Sequence, residues 1–286
     1  MARFPGVVAV IFGLAIGMAG CETAPQKQQE QKIWEGIKIG DLAPPPNDRL
    51  PAPKFLGTVK IDVHAIELPA DNVERLDELW AILTPGPIRM NSYNAFSENS
   101  FRVKFGRMEM WGKILEQLTA ADGQRVATMS LAVADNDSTD LPIANLPVGR
   151  QISFIGGNLS RQRVTVGPGM LMLRLRAEPI PWMRGVRKII AYPVHKLPLT
   201  TAIPQIQASA RRQEFYFDPA AFALPMGPGD LVVLGPDKYT GERASLGGLF
   251  FSDPEGILFF NPNKSQPPEH KPAVRVYILV CTAVSD

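Results

Sequence analysis

The stretch Gly57-Thr58-Val59-Lys60-Ile61-Asp62-Val63-His64 sets the reading of the fold. Val59, Ile61 and Val63 alternate with Lys60, Asp62 and His64, the period-two pattern of a strand with one face buried. A helix is expected next. Asp71 and Glu74 have the spacing of a capping box, and Val73, Leu76, Trp80 and Leu83 share one helical face until Pro85. Ile88 to Tyr93 reads as a second strand. Phe101, Val103 and Phe105, alternating with Arg102 and Lys104, read as a third. Trp111, Ile114, Leu115 and Leu118 form another helical stripe closed by Asp122-Gly123, and Val126 to Ala134 supplies a fourth strand.

That order, β-α-β-β-α-β, is the split βαβ or ferredoxin-like arrangement. Beyond Asp135 the texture changes to short strand candidates: Gln151 to Ile155, Arg163 to Val166, Met170 to Ala177, Val186 to Tyr192 and Glu214 to Phe217. Leu231 to Leu234, Leu249 to Phe251, Ile257 to Phe260 and Val274 to Val284 follow, with a brief helix expected over Ala202 to Arg212. Punctuation such as Gly167-Pro168-Gly169, Gly227-Pro228-Gly229 and Asn261-Pro262-Asn263 favours a sandwich or open barrel. The last strand is apolar on both faces, which places it at a sheet centre. The expected class is therefore α+β: an α+β module over residues 57–140, then an all-β module over 141–286, with the boundary between Asp135 and Pro147.

Upstream, Met1 to Gly20 reads as a secretory signal, with Arg3 supplying charge and Gly6 to Gly20 free of ionisable side chains. Fifteen such residues make about 22 Å of helix, short of the ~30 Å hydrocarbon core, so a removed signal fits better than a permanent span. Met18-Ala19-Gly20-Cys21 resembles the bacterial lipobox, with Met where Leu is usual. The resemblance implies cleavage before Cys21 and acylation of its sulfur. Two or three acyl chains hold a protein that one chain holds only marginally. Glu22 follows where Asp would mark inner-membrane retention, which in a cell with two membranes implies the outer one. Residues 21–56 read as a tether, polar at Gln26 to Lys32 and proline-rich from Pro44.

The 286 residues carry 30 basic and 28 acidic side chains, a balance that does not point to nucleic acid. Cys281 is the one cysteine besides Cys21. Lying in an apolar run, it is expected as a buried, unreactive thiol. His64, His195 and His270 show no metal-ligand spacing. Asp135-Asn136-Asp137-Ser138-Thr139-Asp140 resembles the first half of a calcium loop. Asp140 stands where the loop needs glycine and Leu146 where it needs glutamate, so a solvated connection is expected. No nucleophile elbow, Walker loop or dinucleotide fingerprint occurs, and no catalytic residue, cofactor or metal is expected. An active site assembled from distant carboxylates stays open as an alternative. Arg161, Arg163, Arg174 and Arg176 are a candidate polar surface. On the strand Met170 to Ala177, Leu171, Leu173 and Leu175 face one way while Arg174 and Arg176 face the other.

One stretch, Phe222-Ala223-Leu224-Pro225-Met226-Gly227-Pro228-Gly229-Asp230-Leu231-Val232-Val233-Leu234-Gly235, is similar to a strand motif of secretins, the outer-membrane gates of secretion machines. Leu246-Gly247-Gly248-Leu249-Phe250 resembles a second such segment. What this implies is envelope assembly rather than catalysis. The expected role is a non-enzymatic interaction or scaffolding module, held to the bilayer through acylated Cys21, whose partner is another envelope protein or an envelope polymer. The alternatives are a secretin-like or pilus-associated ring component and a hydrolase of envelope polymer.

Overall fold

The computed structural model describes residues 57–197, 214–239, 241–242, 244–259 and 269–285. The signal, Cys21, the tether and the helix expected at Ala202 to Arg212 lie outside the described residues.

The alternating stretch becomes β1 (Thr58–Pro69), hydrogen-bonded along both edges. It runs antiparallel to β4 (Gln124–Ala134) on one side and to β14 (Glu269–Ser285) on the other. β14 pairs onward with β12 (Asp230–Pro236), and β12 with β3 (Phe101–Arg107), giving the order β3-β12-β14-β1-β4. The sixth strand of this sheet, β13 (Ser252–Phe259), joins the early part of β14.

A second six-stranded sheet has the order β2-β11-β9-β8-β5. Its members are β2 (Arg89–Met90), β5 (Ser138–Leu146), β8 (Gly169–Pro179), β9 (Arg187–Lys196) and β11 (Phe222–Met226), with β10 (Phe215–Tyr216) against β9. β6 (Arg150–Ile155) and β7 (Arg161–Val166) form a separate hairpin. Four short α-helices lie among the described residues: α1 (Leu76–Ile82), α2 (Tyr93–Glu98), α3 (Trp111–Ala120) and α4 (Leu246–Phe251).

Side-chain alternation dictates the layering. Val59, Ile61 and Val63 of β1 and Tyr277, Leu279 and Cys281 of β14 meet Leu171, Leu173 and Leu175 of β8 in a core between the sheets. On the other face of the first sheet, Ile66, Leu68, Val276 and Ile278 pack against Leu76, Leu79 and Trp80 of α1 and Ile114 and Leu118 of α3. The layers run helices, sheet, sheet. β14 therefore belongs to both cores, as a strand apolar on both faces must. Phe101, Phe250, Phe251 and Tyr277 add a cluster of edge-on and tilted rings to the inter-sheet core.

The α+β class and its open antiparallel sheets agree with the sequence reading. Strand pairing, however, crosses the expected division at residue 140. β12 and β14 lie between β1 and β3 of the first segment, and Phe55–Asp286 forms one compact unit. In this position both apolar faces of β14 are covered, and its edges are hydrogen-bonded to β1 and β12.

The Asp135 to Pro147 stretch is a corner followed by a strand. Asn136, at φ 63°, turns the chain out of β4 and into β5 of the other sheet. β5 is a terminal strand, where the missing amide of Pro142 is tolerated beside a bulge.

Three local expectations also differ. Ile88 to Tyr93 gives only the two-residue β2, because Ser92 caps α2 by accepting from the Ala95 amide at 3.2 Å. Leu249 to Phe251 is helical, within α4, and Ser245 caps it through the Gly248 amide at 3.1 Å. The Asp71–Glu74 capping box does not form. Ala70–Arg75 is a 3-10 turn without a side-chain cap, while Asn72 and Arg75 donate to the carbonyls of Ala121 and Ala120 at the end of α3. No described helix is long and apolar enough to cross a membrane.

Candidate functional site

Arg174 lies on the outer face of the second sheet, yet its side chain is 11% exposed. The cause is a ring of partners. Its Nε and Nη2 donate to the two Asp140 oxygens at 2.6 and 2.9 Å, and Nη1 and Nη2 donate to the Glu214 oxygens at 2.6 and 3.0 Å. Two forks of this kind are the strongest geometry a guanidinium offers. Lys196 Nζ adds a 3.1 Å contact to Asp140, and the Tyr216 hydroxyl donates to Glu214 at 2.8 Å. Two cations face two carboxylates, so the cluster is neutral.

Burial pushes both carboxyls upward. Arg174 outweighs it, helped by Lys196 at Asp140 and Tyr216 at Glu214, so both sit below their ordinary values. Hydrogen bonds to Asp140 and Glu214 raise the Arg174 pKa. This arrangement fastens β5, β8, β9 and the segment before β10 together.

The other expected cations lie apart. Arg176 is exposed on β8 and contacts Glu178, which also receives Lys188 at 3.1 Å. Arg161 and Arg163 are exposed on β7, in the separate hairpin. The four arginines do not form one continuous patch, because they stand on two sheets and one is enclosed.

His64 contacts Thr128 Oγ1 at 3.2 Å and lies 5.0 Å, centroid to centroid, from the Trp111 ring. His195 is buried, its Nε2 has no hydrogen-bond partner among the described residues, and burial lowers its pKa. His270 is exposed near the start of β14. Asp135 and Asp140, the ends of the calcium-like stretch, are paired with Arg187 and Arg174 respectively. Among the described residues no group of three metal-ligating side chains comes together.

A groove of about 640 Å³ runs between the β5–β6 turn, α4 and β13. Leu146, Arg150, Glu242, Leu249, Asp253 and Arg275 are among the residues on its walls. Asp253 Oδ1 accepts from the amides of Glu255 and Gly256 at 3.1 and 3.3 Å, and Arg275 is bonded to Glu67 and to the Ile143 carbonyl. Those two charges hold the walls in place. The groove is open, and its walls mix polar and apolar surface in nearly equal measure.

The remaining feature is apolar. Between β8 and β9 the chain turns through Ile180-Pro181-Trp182-Met183-Arg184-Gly185 with the Trp182 ring wholly exposed. The sequence signal was an isolated tryptophan in a proline- and glycine-marked turn. The partners of Arg174, by contrast, stand 34 and 40 residues away and left no local trace.

No known protein family matches the chain, and neither does any curated protein. Among solved structures it is similar to the type II secretin GspD from enteropathogenic Escherichia coli, at 13% identity and a TM-score of 0.26, over 92% of this chain and 76% of that one. It is also similar to the Salmonella SPI-1 type III secretion injectisome secretin InvG, at 11% identity and a TM-score of 0.17, over 81% of this chain and 64% of that one. Scores of this size carry no role across. In this chain, the secretin-like stretch Phe222 to Gly235 spans β11 and β12, which belong to different sheets, and Leu246 to Phe250 is helical.

Proposed function

We propose that the chain is a lipid-anchored protein of the bacterial envelope whose folded body works as an interaction or scaffolding module without catalysis. Its membrane is the outer one where the cell has two, and its partner is another envelope protein or an envelope polymer. The observation that carries the anchor is Met18-Ala19-Gly20-Cys21 at the end of an apolar leader, followed by a polar and proline-rich tether.

The way the body begins supports this reading. Gly57 is buried and its carbonyl accepts from the Asp135 amide at 2.8 Å, so the upstream chain leaves from a fixed point. The next residue enters β1, which is paired along its length with both β4 and β14. Pulling on such a strand loads two hydrogen-bonded ladders in shear. A tether to a membrane is well founded there.

The Arg174 cluster is spent on holding strands together, and the open groove is the concave surface left for a partner. Expression of the full chain and of Cys21→Ser, followed by flotation of the membranes, tests the anchor. The parent is expected with the membranes and the variant unacylated. A variant that is acylated and floats equally contradicts the anchor. Crosslinking of intact envelopes is expected to recover a stoichiometric partner, and repeated recovery of the chain alone contradicts the scaffolding role.

A second reading, a ring-forming component of a secretion or pilus machine, is supported by the secretin-like stretch at Phe222 to Gly235. It requires self-association, and a strictly monomeric protein at high concentration in detergent excludes it.

A further inference from the structure

Trp182 is 101% exposed and Met183 is 49% exposed, side by side at the tip of the β8–β9 hairpin. Folding does not require them there. Trp182 sits at φ 70° and Gly185 at φ 69°, with the Met183 amide donating to the Ile180 carbonyl at 3.2 Å, so the turn is built and presents its ring outward. Trp182 and Met183 together leave contiguous apolar surface in water, the kind of patch that a bilayer or another protein covers.

The position of the tip says what covers it. β9 begins at Arg187, whose side chain is bonded to Asp135 at 2.7 Å and to the Ser285 carbonyl at 3.2 Å. Gly57 lies against that ion pair so closely that a Cβ on it would stand 2.3 Å from both Arg187 Nη2 and Asp135 Oδ2. The point where the upstream chain departs is therefore at the same end of the body as the tip. One turn further along, Gly227 packs against Gly185, and Gly229 accepts the amide of Met108, which is 46% exposed. Exposed Trp182, Met183 and Met108 share this end with Arg107, Arg184 and Lys188 and with two exposed acids, Glu109 and Asp137.

We propose that the Trp182–Met183 tip, together with Met108, is the surface by which the body rests on the lipid bilayer. The inference rests on Cys21 being the anchor and adds an orientation to it. Tryptophan favours the boundary between headgroups and acyl chains, methionine is accommodated by the acyl region, and Arg184 keeps its charge at headgroup level while its stem is covered. The tether supplies proximity: a linked surface binds as if at high concentration, so a small apolar tip suffices. A free body would sample all orientations. A docked one stands on the β8–β9 tip with the groove held at a fixed height.

Full-length acylated protein in phosphatidylglycerol–phosphatidylethanolamine vesicles, with and without acyl-brominated lipid, tests this. The difference between parent and Trp182→Phe isolates the Trp182 emission from that of Trp34, Trp80 and Trp111. A blue shift and a loss of that emission on bromination are expected for a ring at the interface. Unquenched, red emission from Trp182 in floating protein whose Cys21 carries acyl mass overturns the docking and leaves the anchor intact. Protein without acyl mass overturns both. Quenching absent but a blue shift that grows with protein concentration assigns the tip to a second copy. A shift seen only when another envelope protein is added assigns it to a protein partner. Either outcome overturns the bilayer assignment.

Discussion

Arg187 Nε donates to Asp135 Oδ1 at 2.7 Å, joining the first residue of β9 to the residue that follows β4. The pair ties one sheet to the other at the end where the chain enters. At the opposite end Arg275 does the same. It is bonded to Glu67, its cross-strand partner on β1, and reaches the Ile143 carbonyl on β5 at 3.4 Å. The sandwich is fastened by an arginine at each end.

Arg187→Ala leaves the Asp135 carboxylate in a site where its side chain is only 13% exposed, without its guanidinium. Breaking a buried pair from one side costs about 3–5 kcal/mol. Urea unfolding is expected to report a loss of that size, and Asp135→Asn combined with Arg187→Ala is expected to recover part of it. A loss below about 1 kcal/mol, the range of exposed pairs, contradicts the fastening role.

The Arg174 cluster contributes to acid stability. Asp140 and Glu214 sit below their ordinary values of 3.8 and 4.5, so they bind protons less readily folded than unfolded. The stability they confer is present above those ordinary values and is lost as pH falls through them toward the folded values. Arg174→Met removes the opposing charge, burial then dominates, and both carboxyls rise. The acid-unfolding midpoint is expected to move to higher pH, and an unchanged midpoint contradicts the cluster.

The contrast with sequence reading is physical. β1, β3, α3 and β14 are legible because their burial is periodic, and burial depends on neighbouring residues in order. β5 reads as a boundary because Pro142 and polar residues interrupt its alternation, which an edge strand tolerates. α4 reads as a strand because Leu249-Phe250-Phe251 is apolar without period, and the Ser245 cap lies ahead of it. The interweaving of β12 and β14 between β1 and β3 has no local signature, since nothing in a strand's sequence names its partner. At the site, the direction of Arg174 out of the core was readable from alternation. That Asp140 and Glu214 would enclose it was not.

The Cys281 thiol is wholly buried, and its pKa is pushed up to about 11, first by burial and then by the Asp230 charge. With Cys21 acylated, the folded chain is expected to show no thiol reactive toward a disulfide reagent near neutral pH, and one thiol after denaturation. Rapid labelling of the folded protein contradicts this placement.

Gly247 packs α4 against the loop before β3, where a Cβ would stand 2.2 Å from the Asn99 carbonyl oxygen. Gly247→Ala is expected to cost about 1–3 kcal/mol, the usual range for overpacking. Gly112 of α3 is exposed, with open space where its Cβ would stand. Gly112→Ala is expected to stabilise the protein by about 0.5–1 kcal/mol. Equal effects at the two positions contradict the packing at Asn99.

If acyl chains on Cys21 hold the folded body at a membrane, as proposed, intact mass spectrometry of the mature chain will reveal them. The predicted result is a chain that begins at Cys21 and carries the added mass of two or three fatty-acyl groups. A chain that still contains Met1 to Gly20, or that begins at another residue with Cys21 unmodified, contradicts it.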